Sequence, residues 1–340
     1  MNLPDAFIEE MISTLGAAET DKLAAALTTE PPVSVRLNPE KNVRLTDAAE
    51  GVPWSSTGYY LTARPAFTFD PLLHAGCYYV QEAASMFIEQ AFRAIDSPPR
   101  RVLDLCAAPG GKSTLWRSLL DDDCLLVANE PLRTRAAILS ENMLKWGHPN
   151  VCVTSGYPSQ FAPLTGFFDV VAADVPCSGE GMFRKDEEAV RQWSPALVAE
   201  CAERQKEIVD DIWSALKPGG LFIYSTCTFN REENEKMVAY IIENYEAEPV
   251  EIATQPKWNI HEGIDTPYPC YRFMPYRTNG EGLFVAVVRK AGEAESGKQK
   301  PVKQKGKPAK TLPLPKGCTE MLLSPEEFTL TATTETVSAM

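Results

Sequence analysis

The sequence is poor in histidine and has no closely spaced cysteine pairs. Only three histidines occur among its 340 residues, and its nine cysteines include no CxxC motif. This scarcity argues against the common zinc-site patterns, and an odd number of cysteines does not suit a disulfide framework. We therefore expect free thiols, no metal and a reducing, cytoplasmic environment.

Long apolar runs and an excess of positive charge are also missing. No segment approaches the length of about 20 apolar residues that a membrane-spanning helix needs, and the acidic start MNLPDAFIEEM does not resemble a signal peptide. The net charge of −13 disfavours general nucleic-acid binding, because phosphate affinity depends on Lys and Arg. A local basic groove remains compatible with that total. The sequence predicts a soluble protein without a membrane partner and leaves its oligomeric state open.

The patterns that are present divide the chain into four parts. Residues 1–75 combine two short helical segments, broken near Gly16, with a proline-bounded strand and a turn-rich stretch, which predicts a small α+β domain. Residues 76–290 alternate strand and helix patterns, which is typical of a doubly wound α/β fold with a parallel sheet. A Lys-, Gly- and Pro-rich flexible linker is predicted at 291–317. Residues 318–340 resemble the start of a truncated C-terminal domain.

Apolar periodicity within residues 76–290 predicts the elements of the larger domain. Strands are predicted at 101–106, 124–130, 151–154, 167–174, 221–227 and 283–288. Helices are predicted at 78–95, 112–120, 132–147 and roughly 196–216. Ligands of such sheets bind at the carboxyl ends of the strands, so the residues that follow the strands are the candidates for a functional site.

The turn after the first of these strands reads DLCAAPGGK. Its glycines let the backbone approach a ligand, and the helix that follows offers free N–H groups to a carboxylate or phosphate. The spacing matches neither the dinucleotide fingerprint nor a P-loop. Glu130 ends the second strand about 20 residues later, where an acid typically binds ribose hydroxyls. Together the two features indicate an adenosine-type cofactor. Taken singly, each has an explanation without a ligand: a tight strand-to-helix turn, and a solvated acid at a strand end.

Two cysteines end strands at the same edge of the predicted sheet. Cys177 lies in ADVPCSGEGMFRKD and Cys227 in YSTCTFNREENE, both beside polar and turn residues. A single cysteine is most often a buried core residue, but two at one functional edge favour thiol chemistry. A thiolate that adds to C6 of a cytosine activates C5 toward a methyl donor, and it leaves readily afterwards. Asp174 can hydrogen-bond the N3/N4 edge of that base as the adduct forms.

These motifs resemble those of the RNA cytosine-5 methyltransferases, the NOL1/NOP2/Sun (Fmu-like) family. The resemblance extends from about residue 33 to residue 290 and rests on DLCAAPGGK, DVPCSGEGMFRKD and STCTFNREENE, with SVRLNP, YYVQEAASM and YRFMPYRTNGEGLFVAVVRK as further blocks. It implies a class I, Rossmann-like methyltransferase that depends on S-adenosylmethionine and has a small N-terminal domain of an RNA-binding type. The predicted linker and C-terminal segment resemble the bacterial 16S rRNA methyltransferases of the RsmF (YebU) type.

The resemblance also implies roles for individual residues. Cys227 would be the nucleophile that bonds covalently to C6, Cys177 would assist release of the methylated product, and Asp174 would lie near both base and cofactor. The methionine part of S-adenosylmethionine is expected at Cys106, Ala107, Ala108, Pro109, Gly110, Gly111 and Lys112, and the ribose at Glu130 and Arg135. Many relatives contact adenine with an acid that VTSGYPSQF lacks. We therefore expect a backbone contact or the hydroxyl of Ser155 there.

Basic residues in or near these motifs are candidate RNA contacts. They are Arg36, Arg184, Lys185, Arg191, Arg231, Arg272 and Arg277. About half of them are expected to be ordinary solvated charges. The target base must leave its stack to reach the two thiols, so a flipped or single-stranded cytosine is implied.

The sequence thus predicts methylation of C5 of a cytidine in RNA, with 16S rRNA or the small ribosomal subunit as partner. A tRNA cytosine-5 methyltransferase is an alternative with the same catalytic core. Two others are a non-catalytic ribosome-binding protein that retains the fold, and a different methyltransferase or nucleotide enzyme built on the same sheet. The presence of Cys177, Cys227 and Asp174 together favours the first prediction.

Overall fold

The computed structural model describes residues 3–43, 48–292, 330–332 and 337–339. It divides into two compact units, residues 1–295 and 296–340. In the second unit, two short described strands pair antiparallel, Leu330–Ala332 with Val337–Ala339. Apart from these strands and residues 291 and 292, the predicted linker and C-terminal segment lie outside the described residues.

The N-terminal region is a helix pair followed by a small antiparallel sheet. Helices α1 (Asp5–Leu15) and α2 (Ala17–Leu27) meet at Gly16, as predicted. The sheet contains β1 (Val33–Leu37), β2 (Ala48–Gly51), β3 (Gly58–Leu61) and β4 (Tyr78–Val80), in the order β2-β3-β1-β4, and a short helix α3 (Pro71–His74) precedes its last strand. The proline-bounded strand predicted near residue 33 is β1.

The helix predicted over residues 78–95 forms only in part. Its first three residues are β4, which pairs antiparallel with β1. Aromatic and β-branched residues favour a strand, and the edge of β1 supplies hydrogen-bond partners that override the helical periodicity. A 3₁₀ turn (Ala84–Phe87) and helix α4 (Ile88–Phe92) complete the segment. The N-terminal sheet therefore continues past residue 75, where the sequence predicted the first domain to end.

A nine-stranded sheet forms the centre of the described part of residues 96–292. Its strands are β5 (Arg101–Asp104), β6 (Leu125–Asn129), β7 (Val151–Thr154), β8 (Phe168–Asp174), β9 (Leu216–Thr226), β10 (Glu248–Val250), β11 (His261–Glu262), β12 (Tyr271–Phe273) and β13 (Leu283–Arg289). The order is β11-β12-β13-β9-β8-β5-β6-β7, and β10 pairs with β13.

The predicted parallel sheet is confirmed for β5 to β9. The strand predicted at 283–288 is also present, but β13 runs antiparallel to β9. An antiparallel neighbour does not require a right-handed helical crossover, and the connection from β9 to β13 contains a helix (Glu235–Tyr245) followed by the short strands β10 to β12. The remaining helices are α5 (Gly111–Leu119), α6 (Arg133–Trp146), α7 (Glu187–Gln192), α8 (Pro195–Ile212) and α9 (Glu235–Tyr245).

The central sheet is buried on both faces. Successive residues of a strand point to opposite sides, so Leu221 and Ile223 of β9 pack into one apolar core, and Phe222 and Tyr224 into the other. Helix α5 covers the first core, and α8 and α9 cover the second. In the described part of the chain, no helix combines the length and apolarity that crossing a membrane requires.

The strand order places the candidate site. From β5 the chain runs outward to β6 and β7, then returns to β8 and β9 on the other side. The switch point between β5 and β8 is where α/β sheets bind ligands. The loops that follow β5, β6, β8 and β9 open at this edge, and they carry the residues predicted from the sequence.

Candidate active site

A cleft of about 400 Å³ opens at the carboxyl ends of the parallel strands. Of the residues predicted from the sequence, it is lined by Cys106, Ala107, Ala108, Pro109, Gly111, Lys112, Asp174, Lys185 and Cys227. The N-terminal region contributes further lining residues that the sequence did not single out, Tyr79, Val80, Gln81, Glu82 and Ser85. The site therefore lies where the two regions of the first unit meet.

The loop after β5 owes its shape to Gly110. This residue has a φ of +114°, which L side chains rarely adopt, and α5 begins at the next residue. Helix α6 fixes the loop from one side: Asn142 Nδ2 donates to the carbonyl of Pro109 at 2.8 Å, and Arg135 Nη2 donates to that of Ala108 at 3.1 Å. The loop thus presents the start of α5, whose free N–H groups suit an anionic group.

Arg36 does not have the RNA contact that the sequence predicted. The side chain is fully buried, and its Nη2 donates to the carbonyl of Gly111 at 3.2 Å and to Oγ1 of Thr114 at 2.6 Å. Its guanidinium also stacks on the ring of Trp146, 4.5 Å from the centroid. From strand β1, Arg36 therefore holds the start of α5.

Gln81 is a functional candidate that the sequence reasoning missed. Its Oε1 accepts a 2.7 Å hydrogen bond from Nε of Arg36, and because arginine can only donate, the amide orientation is fixed. The opposite atom, Nε2, has no hydrogen-bond partner among the described residues, although the residue is only 6% exposed and lines the cleft. A buried donor without a partner costs stability, so this amide fits an acceptor on a bound ligand. Its position in YYVQEAASM was the only available signal.

Glu130 and Arg135 lie beside the loop after β5, outside the set of residues that line the cleft. The carboxylate of Glu130 is only 2% exposed, accepts from the N–H of Leu132 at 3.1 Å and lies 3.3 Å from Nη1 of Arg135. It is therefore not an ordinary solvated strand-end acid. Ser155 donates to the carbonyl of Pro131 at 3.3 Å. The predicted ribose and adenine contacts of these residues stay predictions.

Asp174, at the end of β8, is paired with Lys112. Nζ of Lys112 lies 2.8 Å from Oδ2 of Asp174, and Oγ of Ser225 donates to Oδ1 at 2.7 Å. Burial alone would lower the pKa of Lys112, but the negative charges of Asp174 and Cys227 raise it above its ordinary value. Lys112 therefore remains an ammonium, with attractive interactions to both predicted catalytic groups.

The two predicted catalytic thiols touch. The Sγ atoms of Cys177 and Cys227 are 3.3 Å apart, and the N–H of Cys227 donates to Sγ of Cys177 at 3.4 Å. The hydrogen bond to Cys227, burial and the charges of Cys227 and Glu233 raise the pKa of Cys177 well above its ordinary value. Cys177 is therefore a neutral thiol, suited to exchange a proton with a neighbour, whereas Cys227 lines the cleft.

Two other predicted RNA contacts also have internal partners. Arg184 is 5% exposed; its Nε lies 3.0 Å from Oε2 of Glu281, and its Nη2 donates to the carbonyl of Gly280 at 2.6 Å. Arg272 is buried, paired with Glu235, and donates to the carbonyl of Phe229 at 2.7 Å. These guanidiniums tie segments together and are not free for phosphate.

The remaining basic candidates stay predictions. Lys185 lines the cleft with its side chain one-third exposed, 3.4 Å from Glu281. Arg191 and Arg231 form ion pairs with Glu188 and Asp265, and Arg277 is exposed. In the described ranges, no three His, Cys, Asp or Glu side chains are grouped as a metal ion would require.

Comparison with known families accounts for most of the first unit. A model of the 16S rRNA methyltransferase RsmB/F family matches residues 96–289, and a model of the N-terminal domain of 16S rRNA methyltransferase RsmF matches residues 3–83. The chain is 34% identical over 307 residues to the ribosomal RNA small subunit methyltransferase F of Escherichia fergusonii, and 35% identical over 315 residues to that of Cronobacter sakazakii. These alignments cover 84% and 86% of this chain, but 63% and 64% of the relatives.

Solved structures share the fold at lower sequence identity. NSun6 from Pyrococcus horikoshii, solved with SFG, has a TM-score of 0.72 at 18% identity, over 85% of this chain and 99% of that one. A methyltransferase homologue from the same organism has a TM-score of 0.69 at 24% identity, over 84% and 94% of the two chains. The family match covers more than half of the sequence, including the loop after β5 and both thiols. The chain belongs to the 16S rRNA methyltransferase RsmB/F family.

Proposed function

We propose that this chain transfers a methyl group from S-adenosylmethionine to C5 of a cytidine in RNA through a covalent bond between Cys227 and C6. The observation that carries the proposal is the pair of thiols 3.3 Å apart, one of them lining a cleft that also contains the Lys112–Asp174 pair. A methyltransferase that moves its methyl group without a covalent intermediate needs neither thiol. The names of the relatives favour RNA of the small ribosomal subunit as the substrate, and the family descriptions favour 16S rRNA.

The residues around the loop after β5 fit the cofactor. Nε2 of Gln81 is a buried donor without a partner, and the start of α5 is close to it: a Cβ placed on Gly111 would lie 3.8 Å from that atom. These donors would hold the methionyl carboxylate, while Glu130 would accept from the ribose hydroxyls. S-adenosylmethionine bound there supplies an electrophilic methyl group. The SFG solved with NSun6 is an analogue of this cofactor and supports the assignment.

The first chemical step belongs to Cys227. Its thiolate adds to C6, an S–C6 bond forms, and the electrons of the C5=C6 bond make C5 nucleophilic. Asp174 accepts a hydrogen bond from the N4 amino group, and the ammonium of Lys112 beside it offsets the negative charge that develops on the ring.

The last step restores the aromatic base. After C5 has taken the methyl group, a base removes the C5 proton. The C–H electrons re-form the C5=C6 bond, and the S–C6 electrons leave with the sulfur of Cys227. Cys177 is placed to assist this release, because its thiol contacts that sulfur.

The experiment is to trap the intermediate. Cys177→Ala is incubated with S-adenosylmethionine and either small ribosomal subunits, 16S rRNA or tRNA, and covalent RNA adducts are separated on denaturing gels. We expect an adduct with 16S rRNA or the small subunit, none with the Cys177→Ala/Cys227→Ala double variant, and no turnover by Cys227→Ala. An adduct that forms with tRNA alone would show that tRNA, and not 16S rRNA, is the substrate. Full turnover by Cys227→Ala would refute the mechanism.

A further inference from the structure

We propose that Glu180 and Glu233 are positioning residues that tie the two thiol-bearing loops together and thereby fix the distance between Cys177 and Cys227. The Cys177 loop comprises residues 175–186, and the Cys227 loop comprises residues 227–234. Each loop contributes one buried carboxylate that binds the backbone of the other loop. The catalytic meaning of this arrangement rests on the proposed function.

Glu180 reaches from the Cys177 loop to the Cys227 loop. Its Oε2 accepts from the N–H of Phe229 at 2.6 Å and from the N–H of Asn230 at 2.9 Å. Its Oε1 accepts from Nε1 of Trp193 at 3.0 Å. One carboxylate therefore fixes two successive peptide groups just after Cys227.

Glu233 makes the reciprocal connection. Its Oε2 accepts from the N–H of Ser178, the residue after Cys177, at 2.9 Å, and from Nε2 of Gln205 at 2.8 Å. The same amide nitrogen of Gln205 donates to the carbonyl of Pro176 at 2.9 Å. The peptide groups on both sides of Cys177 are thus held by the same pair of side chains.

Asn230 joins the two carboxylates. Its Nδ2 lies 3.0 Å from Oε1 of Glu180 and 2.7 Å from Oε1 of Glu233. The hydroxyls of Ser178 and Thr228 are 2.9 Å apart, which adds another contact between the loops. We call Glu180, Glu233 and Asn230 the carboxylate clasp.

Stabilisation of the fold does not by itself explain the carboxylate clasp. Glu180 and Glu233 are both 0% exposed, and neither forms an ion pair within the described ranges. A buried carboxylate without a cation pays a large desolvation cost that only its hydrogen bonds offset. Apolar residues could fill this volume at lower cost, so the arrangement favours precise placement of the loops over stability.

The clasp also makes the two sulfurs unequal. The titratable groups that face Cys177 are Cys227, Glu233 and the phenol of Tyr224. The negative charge of Glu233 disfavours a thiolate at Cys177. Cys177 is therefore held as a neutral thiol 3.3 Å from Cys227, the sulfur that lines the cleft.

Thiol alkylation in the free protein tests the clasp without any RNA. The variant is Glu233→Gln, whose new NH₂ group would face a donor on Asn230 or on Gln205. The control is Glu89→Gln, which alters another buried carboxylate, bound to the N–H of Ser56 and to Arg93. The rate of iodoacetamide labelling of each cysteine is followed by mass spectrometry between pH 6 and pH 10.

We expect Glu233→Gln to move the pH midpoint for Cys177 downward and to raise its labelling rate at pH 7.5 about 10-fold, the effect of one pKa unit, while Glu89→Gln leaves both unchanged. Asn230→Ala keeps the carboxylates of Glu180 and Glu233 and is expected to move the pH midpoint for Cys177 downward by a smaller amount. This variant replaces Glu233→Gln if Glu233→Gln does not fold. Identical profiles for Cys177 in the wild type and the clasp variants would overturn the proposal.

The clasp and the proposed function fail separately. A shifted Cys177 profile without an RNA adduct in Cys177→Ala would leave the clasp standing and remove the proposed function. An RNA adduct together with unshifted profiles would do the opposite. With both intact, Glu180→Gln should lower kcat about 10-fold and leave the Kd for S-adenosylhomocysteine within a factor of about 2. Among the described residues, no hydrogen bond or ion pair joins the loop after β5 to the carboxylate clasp.

Discussion

The ammonium of Lys112 lies 2.8 Å from the carboxylate of Asp174, and both groups line the cleft that contains Cys227. Lys112 belongs to the first turn of α5, and Asp174 ends β8. The proposed function places the cofactor at the start of α5 and the cytosine against Asp174. The Lys112–Asp174 ion pair would therefore connect the two ligands.

Replacement of this ammonium tests the connection. We expect Lys112→Gln to lower kcat about 100-fold, because the partly exposed Asp174 loses its cation and the negative charge that develops on the cytosine loses a nearby positive charge. Methyl transfer from labelled S-adenosylmethionine measures the effect. Lys145→Gln is the control, since Lys145 pairs with Glu141 on the surface of α6. Wild-type turnover by Lys112→Gln would show that the pair is only structural.

The unpartnered amide of Gln81 predicts a loss of affinity that depends on the ligand. Gln81→Met should weaken S-adenosylhomocysteine about 10-fold, the usual effect of losing one hydrogen bond to a charged group. It should not weaken 5′-methylthioadenosine, which lacks the carboxylate. Calorimetric titration of both ligands checks this, with Gln192→Met on the exposed face of α7 as the control. Equal losses of affinity for the two ligands would show that the amide of Gln81 does not bind the carboxylate.

Gly181 predicts a steric effect on the Cys227 loop. Its N–H donates to the carbonyl of Cys227 at 2.9 Å, and a Cβ there would lie 2.9 Å from that oxygen and 3.0 Å from Cα of Gly282. Both contacts are with backbone, which cannot rotate away, so Gly181→Ala should reduce turnover more than about 10-fold. Gly51→Ala, with only a 4.0 Å contact, is the control. Equal activity of the two variants would contradict this.

Asp104 predicts a stability difference that depends on pH. Burial raises the pKa of this carboxyl from 3.8 to about 7. Between these pH values the Asp104 carboxyl is ionised in the unfolded chain and protonated in the folded one. The free energy of unfolding of the wild type therefore falls as pH rises from 4 to 7. Asp104→Asn, which can still accept from the hydroxyl of Ser113, avoids this loss. Its free energy of unfolding relative to wild type should increase by up to about 4 kcal/mol over that range.

Urea unfolding of both proteins at pH 4 and pH 7 measures that difference. Glu10, whose pKa is also raised to about 7 by burial and neighbouring acids, titrates in the same range. It is unchanged in Asp104→Asn and largely cancels in the comparison. A relative stability that is flat with pH, or that falls as pH rises, would contradict the prediction.

The sequence was most informative where local pattern decides structure. Buried parallel strands appear as continuous apolar runs, so β5, β6 and β8 were predicted within two residues of their observed bounds. Strand β9 begins at Leu216, five residues before its predicted start, because the LKPGG segment extends the strand and does not form a turn. The position of Cys177 and Cys227 at one edge followed from strand polarity alone. Their 3.3 Å contact did not, because it depends on how two loops 50 residues apart pack.

The sequence was least informative about the partners of charged residues. Arg184 looked like a phosphate contact, yet its carboxylate partner is Glu281, 97 residues later in the chain. Glu233 was not singled out in the sequence, and its burial becomes visible only when Ser178 and Gln205 are placed against it. Charge in a sequence does not reveal whether a group is paired or solvated.

The hydrogen bonds from Arg36 to Gly111 and Thr114 make helix α5 depend on the N-terminal region of the chain. A catalytic fragment that starts after residue 83 would keep Cys177, Cys227 and Asp174. It would nevertheless lose the guanidinium that braces α5 and the amide of Gln81 that Arg36 orients. The two halves of the first unit are therefore not interchangeable parts, and a hybrid that exchanges the N-terminal half must preserve this arginine–glutamine pair.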